Sequence, residues 1–321
     1  MKTTIFVTGG DGIIGKSLQK IVYLKQYNNI QFKEDYKWIF LHKYILNLTD
    51  YDEVYNFFND QISIQNKPVV INLAKYTPLN PDNLDNIIEI YEKNLRIDSN
   101  IITVCIKLKI KKFINLFPVE ILEIFENKKT TYNESSSENY NYLYSKINSI
   151  YYSRAINNCS DKYCYTNLFL PKIFSEYDFQ KLGKTTIITE LIETIDSIKK
   201  INYNRQLIPK IIYVDDISNI IIDFISIFNV QGDYLILPPN KNSLTIEELV
   251  KFISKELNYN LPFEYDKENN NITDYMQNLN TNKIDTLYKK YNLNIDNRFN
   301  FKLGIRSVIK WYITNNVQTQ L

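Results

Sequence analysis

The stretch Val7-Thr8-Gly9-Gly10-Asp11-Gly12-Ile13-Ile14-Gly15 decides the fold of this chain. It follows a short apolar run at Thr3–Val7 and opens a segment with helical spacing at Ile14–Val22. Such a loop needs glycine where φ turns positive, where the backbone approaches a pyrophosphate and where the helix presses on the strand. Four of the chain's seven glycines lie within residues 9–15. The stretch therefore predicts a dinucleotide-binding loop whose cofactor-binding residues are Gly9, Gly10, Asp11, Gly12, Ile13, Ile14 and Gly15.

Composition limits the classes of partner. With 321 residues, 44% of them hydrophobic, the chain can bury one large core with a smaller attached lobe. A net charge of +2 gives no electrostatic reason to expect nucleic acid or an anionic membrane, so we expect small-molecule ligands. Three scattered cysteines and one histidine predict neither a disulfide framework nor a metal site. No apolar run approaches the roughly 18 residues of a membrane helix, and we expect a cytoplasmic protein without a signal peptide.

Short β-branched and aromatic runs alternate with longer segments of helical period, a pattern typical of βαβ units and a parallel sheet. The predicted strands are Thr3–Val7, Trp38–Leu41, Val69–Asn72, Phe113–Leu116 and Tyr165–Leu170. The predicted helices are Ile14–Val22, Asp52–Phe58, Leu84–Leu108 and Tyr142–Asn158, the last two long enough to pack against a partner subunit as well. We therefore expect an α/β fold, a Rossmann-type doubly wound parallel sheet with a smaller C-terminal substrate-binding lobe.

The end of the second strand bears on the choice of cofactor. An acidic side chain there would bind the ribose 2′-hydroxyl of NAD and repel the 2′-phosphate of NADP. The strand Trp38–Leu41 is instead followed by His42 and Lys43, which favours NADP(H), although both are also ordinary solvated residues at a strand end. Asn47 and Leu48, in the run Asn47-Leu48-Thr49-Asp50, are candidates for contact with the adenine.

The alternation of elements weakens after Leu170. Beyond it we predict one helix over Thr185–Ile201, a segment Leu207–Val214, a helix over Asp215–Phe228, a strand over Gly232–Leu237, helices over Thr245–Leu257 and Phe301–Asn315, and an exposed polar loop over Asp266–Asn282. We expect residues 1–170 and 211–237 to form the NADP-binding domain, with Ile211–Leu237 returning to the main sheet. Residues 171–210 and 238–321 are expected to form the substrate-binding lobe.

Tyr142 and Lys146 are four residues apart in a predicted helix, so both lie on one face. An ammonium group there can lower the pKa of the phenol and hold the nicotinamide ribose, which predicts a proton relay beside a hydride donor. Because the chain has 26 tyrosines, two alternatives stay open: a pair of solvated residues, or Tyr144 as the inward phenol of a shifted register. The place of the pair, in the helix that follows the strand Phe113–Leu116, favours the catalytic interpretation.

These motifs together resemble the extended short-chain dehydrogenases/reductases and, within them, the GDP-L-fucose synthase family. The resemblance covers nearly the whole chain and rests on Val7–Gly15 with Lys16-Ser17-Leu18-Gln19-Lys20, Asn72-Leu73-Ala74, Lys93-Asn94, Lys129-Thr130-Thr131-Tyr132, Tyr142-Leu143-Tyr144-Ser145-Lys146, Ile212-Tyr213 with Asp216, and Trp311-Tyr312. Members of that family epimerise GDP-4-keto-6-deoxymannose at two carbons, C3 and C5, and then reduce C4 with NADPH, generally as homodimers. The resemblance implies NADP(H), a GDP-linked sugar substrate and a homodimer.

The resemblance also implies roles for individual residues. Further cofactor-binding residues would be Leu73, Ala74, Lys75 and Asn94, alongside Tyr142 and Lys146. Substrate-binding residues would be Lys172, Tyr177, Arg205, Lys210 and Lys283.

The chain departs from the family at the active site. Where the family has a Ser-Thr-Cys run, the chain has Phe117-Pro118-Val119-Glu120, so the hydroxyl is absent and a carboxylate stands in place of the thiol. The family's Pro-x-Asn-x-x-Gly-x-His reads Leu170 to Tyr177 here, with Tyr177 in place of the histidine and Lys172 or Ile173 in place of the asparagine. The basic pair before the family's Phe-Ile-Tyr reads Pro209-Lys210, with Arg205 nearby.

Three hypotheses follow from these departures. The first is a working reductase and epimerase in which Glu120 is the base and Tyr177 the acid, assisted by Lys172. The second is a catalytically impaired nucleotide-binding pseudoenzyme or regulatory subunit. The third is a reductase acting on another nucleotide-linked 4-keto sugar. The joint presence of Tyr142, Lys146 and the full glycine loop favours an enzyme.

Overall fold

A computed structural model describes residues 3–27, 36–62, 67–78, 84–125, 137–180, 186–197, 200–239, 243–259, 262–265, 282–293 and 295–318. The chain divides into two compact units. The first comprises Met1–Leu170 and Ser218–Leu235, and the second comprises Pro171–Ile217 and Ile236–Leu321.

A six-stranded parallel sheet forms the centre of the first unit. Its strands are β1 (Thr3–Thr8), β2 (Tyr36–Leu41), β3 (Val69–Asn72), β4 (Lys112–Pro118), β5 (Cys164–Leu170) and β8 (Gly232–Leu235). Their order across the sheet is β2-β1-β3-β4-β5-β8. Strand β2 therefore lies on one side of β1, and β3 lies on the other side. Thr8 is opposite Asn72 at the carboxyl ends of the two strands where the order reverses. In open α/β sheets, ligands bind in the crevice at such a point.

Helices cover the sheet of the first unit. They are α1 (Ile13–Tyr27), α2 (Tyr51–Gln61), α3 (Leu84–Lys107), α4 (Ile121–Phe125), α5 (Ser137–Cys159) and α7 (Val214–Ser226), of which residues from Ser218 onward belong to this unit. Every residue of β1, β3 and β5 is buried, which explains their nearly continuous apolar sequences. The long helices α3 and α5 pack on each other. The Oγ atoms of Ser17 in α1 and Ser218 in α7 are 2.7 Å apart.

The second unit is built on a two-stranded parallel sheet of β6 (Lys172–Phe174) and β7 (Ile211–Tyr213). Its helices are α6 (Ile187–Asp196), α8 (Ile246–Glu256), α9 (Asn282–Lys290) and α10 (Phe301–Gln318). The rings of Phe174, Tyr213 and Phe301 form its aromatic centre, with neighbouring centroids 5.5 Å apart. Gly304 allows α10 to approach β7, since a Cβ there would lie 2.5 Å from the Tyr213 ring.

The predicted fold class is confirmed, and the strand Val69–Asn72 has its predicted bounds. Two predictions in the second unit are wrong. The helix predicted over Thr185–Ile201 is only Ile187–Asp196, because Thr186 and Thr189 form a capping box at its start, and Ile201 instead bridges to Tyr265. Ile211–Tyr213 does not return to the main sheet but pairs with β6. The helix α9 and the strand β6 were not predicted, and Asp266–Thr281 lies outside the described residues.

No helix in the described part of the chain combines the length and the apolar character that crossing a bilayer requires.

A buried lysine connects the sheet of the first unit to the segment that follows α7. Lys112, at the start of β4, is 0% exposed, and its ammonium donates to the carbonyl oxygens of Ile227 at 3.2 Å and Val230 at 3.0 Å. Burial lowers the pKa of Lys112 to about 7. The two carbonyls follow α7, so this lysine ties the end of that helix to the sheet.

A buried carboxylate in the second unit predicts a pH-dependent stability. Asp216 is 2% exposed, its Oδ2 accepts a hydrogen bond from the Asn300 amide at 3.0 Å, and burial raises its pKa from 3.8 to about 7. Between these two pH values the folded chain holds a proton that the unfolded chain releases. The free energy of unfolding should therefore fall as pH rises through this window, by up to about 4 kcal/mol from this group.

An Asp216→Asn variant keeps the acceptor for Asn300 but cannot ionise. Urea unfolding at pH 4.5 and pH 8 should show the variant gaining stability relative to the parent at the higher pH. Parallel pH profiles for the two proteins would contradict this assignment.

Candidate active site

The glycine loop packs against the end of β3 and against itself. Gly9 has a φ of 67°, and a Cβ there would lie 2.7 Å from the carbonyl carbon and oxygen of Leu73. A Cβ on Gly15 would lie 2.5 Å from the carbonyl oxygen of Gly10. Within the described part of the chain, a Cβ on Gly12 would meet just one atom, the Gly9 carbonyl oxygen at 3.1 Å. Gly9 and Gly15 thus permit close backbone packing, and a Cβ on Gly12 would be crowded by one backbone oxygen.

The glycine loop leads directly into the N-terminus of a helix. Helix α1 begins at Ile13, directly after the loop, so the first-turn N–H groups have no acceptor inside the helix. The Gln19 side chain holds the loop by donating to the carbonyl oxygens of Gly10 at 2.8 Å and Gly15 at 3.3 Å. Helix N-termini bind phosphate through such amides and the helix dipole. Gly9 to Gly15 would therefore hold a dinucleotide where the strand order reverses.

The end of β2 carries both charge signs. Nδ1 of His42 lies 2.7 Å from Oδ1 of Asp11, an exposed loop residue, and Lys43 lies over the Tyr44 ring at 4.8 Å. An acidic side chain was expected only from the second strand itself. The structure instead brings Asp11 of the glycine loop to the end of β2, where its carboxylate contacts His42.

Asn47 and Leu48 form the turn between β2 and α2. The Asn47 side-chain oxygen accepts from the Thr49 amide at 3.1 Å and from its hydroxyl at 2.8 Å. Asn100 of α3 donates to the Leu48 carbonyl oxygen at 3.1 Å. Asn47 is exposed, but its side-chain oxygen already closes this turn.

The side chain of Asn94, a predicted cofactor-binding residue, is engaged in hydrogen bonds within the first unit. It is 0% exposed, its Oδ1 accepts from the Tyr76 amide, and its Nδ2 donates to the carbonyl oxygens of Tyr76 and Ile90. These bonds use the whole amide to fix the segment that follows β3. Asn94 therefore positions the loop carrying Leu73, Ala74 and Lys75.

Tyr142 and Lys146 do lie together on α5. The Lys146 ammonium is 5.6 Å from the centroid of the half-buried Tyr142 ring. The Lys75 ammonium, whose contact with this ring the sequence alone did not predict, is 3.9 Å from the same centroid. Tyr144 is 50% exposed, which excludes the shifted register. Because Lys146 also approaches the Ala74 carbonyl oxygen at 3.4 Å, the pair lies at the carboxyl edge of the sheet, as does the glycine loop.

The expected effect on the phenol is wrong in sign. Burial raises the pKa of Tyr142, and the negative charges of Asp98 and Glu120 raise it further. Lys146 does not offset these effects because its charge is paired with Asp98 at 2.8 Å. Tyr142 is thus a neutral phenol at physiological pH, a form that can donate a proton to a developing alkoxide.

The end of β4 carries the departures from the family pattern. Val119 is fully buried, and its amide donates to the Leu170 carbonyl oxygen at 2.8 Å. Pro118 and Val119 offer no hydroxyl where the family has one. Glu120, half-buried, is close enough for its charge to act on the pKa of Tyr142. The structure therefore groups Glu120 with Tyr142 and Lys146.

The predicted substrate-binding residues lie on several elements of the second unit. Lys172 is exposed on β6, Tyr177 is half-buried in the turn after it, and Lys283 is exposed on α9. Arg205 donates to Glu247 Oε2 at 2.9 and 3.1 Å, so a carboxylate already pairs with it. Burial lowers the pKa of Lys210.

A chain of buried polar residues links the strands to Lys146, and the sequence analysis did not select it. Asp98 contacts Lys146 and accepts from Asn72 Nδ2 at 2.9 Å, while Asn115 donates to the Ser149 hydroxyl at 2.6 Å. The available signal was an acid four residues after Asn94 on the apolar face of a long helix. A single aspartate in that place has no distinctive spacing to a partner on another element.

Comparison with known proteins places this arrangement in a family. The model of the NAD dependent epimerase/dehydratase family matches residues 5–232. The chain belongs to this family. The matched range contains the glycine loop, Glu120, Tyr142 and Lys146. The loop that would hold a dinucleotide therefore lies in the part of the chain that matches the family. No curated protein matches this epimerase/dehydratase chain in sequence.

Solved structures share the fold of this family member over its whole length. A GDP-L-fucose synthetase from Naegleria fowleri, bound to NADP, is 19% identical with a TM-score of 0.74, over 98% of this chain and 93% of that one. A GDP-D-glycero-L-gluco-heptose synthase from Campylobacter jejuni, in the presence of NADPH, is 15% identical with a TM-score of 0.71, over 98% of each chain. A dTDP-4-dehydrorhamnose reductase from Clostridium acetobutylicum is 13% identical with a TM-score of 0.64, over 97% of this chain and 100% of that one.

Proposed function

We propose that the chain is an NADPH-dependent nucleotide-sugar epimerase/reductase that converts GDP-4-keto-6-deoxymannose to GDP-L-fucose. The observation that carries the proposal is the neutral, half-buried Tyr142 beside Lys146 at the edge of the sheet that also carries the glycine loop. The solved GDP-L-fucose synthetase and GDP-heptose synthase support NADP(H) and a GDP-linked sugar. Lys43 and His42 would meet the 2′-phosphate.

Reduction needs a proton donor and a fixed cofactor. When bound, the nicotinamide supplies a hydride to the keto carbon. Tyr142 donates the phenolic proton to the oxygen of that carbon, and its raised pKa keeps the proton available. Lys146 holds the nicotinamide ribose. Lys75, over the Tyr142 ring at 3.9 Å, holds the phenol in place and adds positive charge where the alkoxide develops.

Epimerisation needs a base that removes a proton next to the keto group and an acid that returns one to the opposite face. Glu120 is the proposed base, because it is a half-buried carboxylate close enough to act on Tyr142. Tyr177, with Lys172, remains the proposed acid. No metal takes part in this proposal.

A Glu120→Gln variant should lose proton removal while keeping the shape of the side chain. In deuterated water without NADPH, the parent should exchange the hydrogens next to the keto carbon of the substrate. The variant should do so slower by about 10²–10⁴-fold, the contribution of a general base. Mass spectrometry of the recovered sugar measures the exchange.

Glu89→Gln is the matched control, since Glu89 lies on α3 and is paired with Lys93 and with the Tyr76 hydroxyl. It should exchange like the parent. If Glu120→Gln also exchanges at the parent rate, Glu120 is not the base.

The pseudoenzyme remains the second candidate, favoured by Pro118 and Val119. A missing hydroxyl removes one hydrogen bond to the reacting oxygen, a loss that costs roughly 10²–10³-fold in rate, about 2.7–4 kcal/mol. Tight NADPH binding without turnover would identify this case.

A reductase for another nucleotide-linked 4-keto sugar is the third candidate. Lys210 is the one cation left of the family's basic pair, and Arg205 is paired with Glu247. The similar fold of a dTDP-4-dehydrorhamnose reductase is compatible with a different base.

A homodimer is part of the proposal. Tyr144, Tyr151 and Tyr152 are each at least half exposed along α5, and Ile88 is 52% exposed on α3. Large apolar side chains on one pair of helices are typical of a surface covered by a second subunit.

The proposal is tested by incubating the purified chain with NADPH and GDP-4-keto-6-deoxymannose. The product should have the mass and the sugar stereochemistry of GDP-L-fucose. A reduced product with unchanged configuration at C3 and C5 would support reductase activity alone, and turnover of only a dTDP- or UDP-linked substrate would support the third candidate.

A further inference from the structure

Two opposite charges are buried together beside the proposed catalytic tyrosine. The Lys146 ammonium lies 2.8 Å from Asp98 Oδ1, and both side chains are 2% exposed. Lys146 comes from α5 and Asp98 from α3, the two helices that pack on each other. A charge so deeply buried is tolerated only with a well-placed partner, because removing one member leaves the other charge buried and unpaired.

Asp98 is itself held by the strands. Asn72, the last residue of β3, donates from Nδ2 to Asp98 Oδ1 at 2.9 Å. The Asn72 oxygen accepts from the Thr8 hydroxyl at 2.7 Å, and Thr8 ends β1 immediately before Gly9. The Thr8 hydroxyl oxygen accepts in turn from the amides of Leu73 and Ala74 at 3.2 and 3.3 Å. One hydrogen-bonded chain thus runs from the base of the glycine loop to Lys146.

The ammonium of Lys146 has three donors. One points to Asp98, and a second approaches the Ala74 carbonyl oxygen at 3.4 Å. The remaining donor is available to a ligand at the carboxyl edge of the sheet. The direction of that donor depends on the Asp98 carboxylate, which holds the ammonium at 2.8 Å.

We propose that Asp98 is a positioning residue that holds the Lys146 ammonium in place for cofactor binding. This inference rests on the proposed function, in which Lys146 holds the nicotinamide ribose. Asp98 touches neither cofactor nor substrate in this proposal and acts entirely through Lys146. The competing explanation is that the pair only joins α3 to α5.

NADPH titration followed by cofactor fluorescence separates the two explanations. Asp98→Asn keeps an oxygen that can accept from Asn72 and Lys146 but removes the charge, and it should weaken NADPH binding about tenfold. Lys146→Met should weaken it at least as much. In the Lys146→Met background, Asp98→Asn should have no further effect, because the residue through which it acts is gone.

Two further variants make the test specific. Asp98→Glu restores the negative charge and should recover most of the NADPH affinity lost in Asp98→Asn. This rescue keeps the inference testable if another variant of the set fails to fold. Asp233→Asn removes another paired carboxylate of the same unit, which contacts Arg154 and Asn167 on α5 and β5, and should leave NADPH affinity unchanged. Circular dichroism of each variant checks folding.

The outcomes distinguish this inference from the proposed function. An Asp98→Asn protein that binds NADPH like the parent, or losses that multiply in the double variant, would overturn the positioning role and leave the proposed function standing. A parent chain that fails to bind NADPH would overturn the proposed function and this inference together.

Discussion

A Gly15→Ala variant is expected to lose NADPH affinity by about 100-fold or more, equivalent to about 2.7 kcal/mol. The added Cβ would lie 2.5 Å from the Gly10 carbonyl oxygen and 2.6 Å from that of Gly9. Both neighbours are backbone atoms, so the loop must move rather than a flexible side chain. Since α1 begins two residues earlier, the displacement shifts the first-turn amides that would bind the pyrophosphate.

Gly232→Ala is the matched control for Gly15→Ala. Gly232 has a φ of 94° at the start of β8, so alanine is strained there too, but Gly232 does not belong to the loop. This control should lose stability and keep NADPH affinity. Titrating all three proteins with NADPH and NADH also tests the cofactor preference, for which we expect tighter binding of NADPH. Unchanged NADPH binding in Gly15→Ala would contradict the assigned loop.

A Tyr142→Phe variant is expected to lose reductase turnover by about 10²–10⁴-fold while binding NADPH like the parent. Phenylalanine keeps the ring that Lys75 contacts at 3.9 Å and removes only the hydroxyl. Without that hydroxyl, no proton reaches the developing alkoxide from α5. The rate constant kcat should therefore fall, and the cofactor Kd should not change.

Tyr144→Phe serves as the control for Tyr142→Phe. It removes a hydroxyl from the same helix two residues away, on a side chain that is 50% exposed, and should leave turnover unchanged. If Tyr142→Phe turns over at the parent rate, another group donates the proton.

The pattern of the sequence predicted the strands of the main sheet and the long helices of the first unit, but not the short helix α4. Central strands such as Val69–Asn72 are buried on both faces, so a short apolar run marks them directly. The glycine loop was predictable because a Cβ at Gly9 or Gly15 would collide with neighbouring backbone atoms. Only glycine, which has no Cβ, fits at these two positions.

The parts that failed depend on contacts between distant residues. Helix α6 begins after its cap at Thr186 and ends at Asp196, and Ile201 beyond it bridges to the distant Tyr265. Strand β7 pairs with the three-residue strand β6, which is too short to have a pattern of its own. The pKa of Tyr142 was predicted with the wrong sign because spacing reveals a nearby lysine but not the burial of the phenol or the pairing of that lysine with Asp98. The family pattern that assigned Asn94 to the cofactor does not reveal that its amide is used by Tyr76 and Ile90.

Deuterium transfer tests the central claim most directly. The purified chain is incubated with GDP-4-keto-6-deoxymannose and NADPH that carries deuterium at the transferable hydride position, and the nucleotide sugar is examined by mass spectrometry and NMR. We predict one deuterium at C4 of the product in the parent and in Tyr144→Phe, and almost none in Tyr142→Phe. NADPH that binds tightly to the parent but leaves no deuterium on any nucleotide-linked 4-keto sugar would contradict the account and identify the chain as a pseudoenzyme.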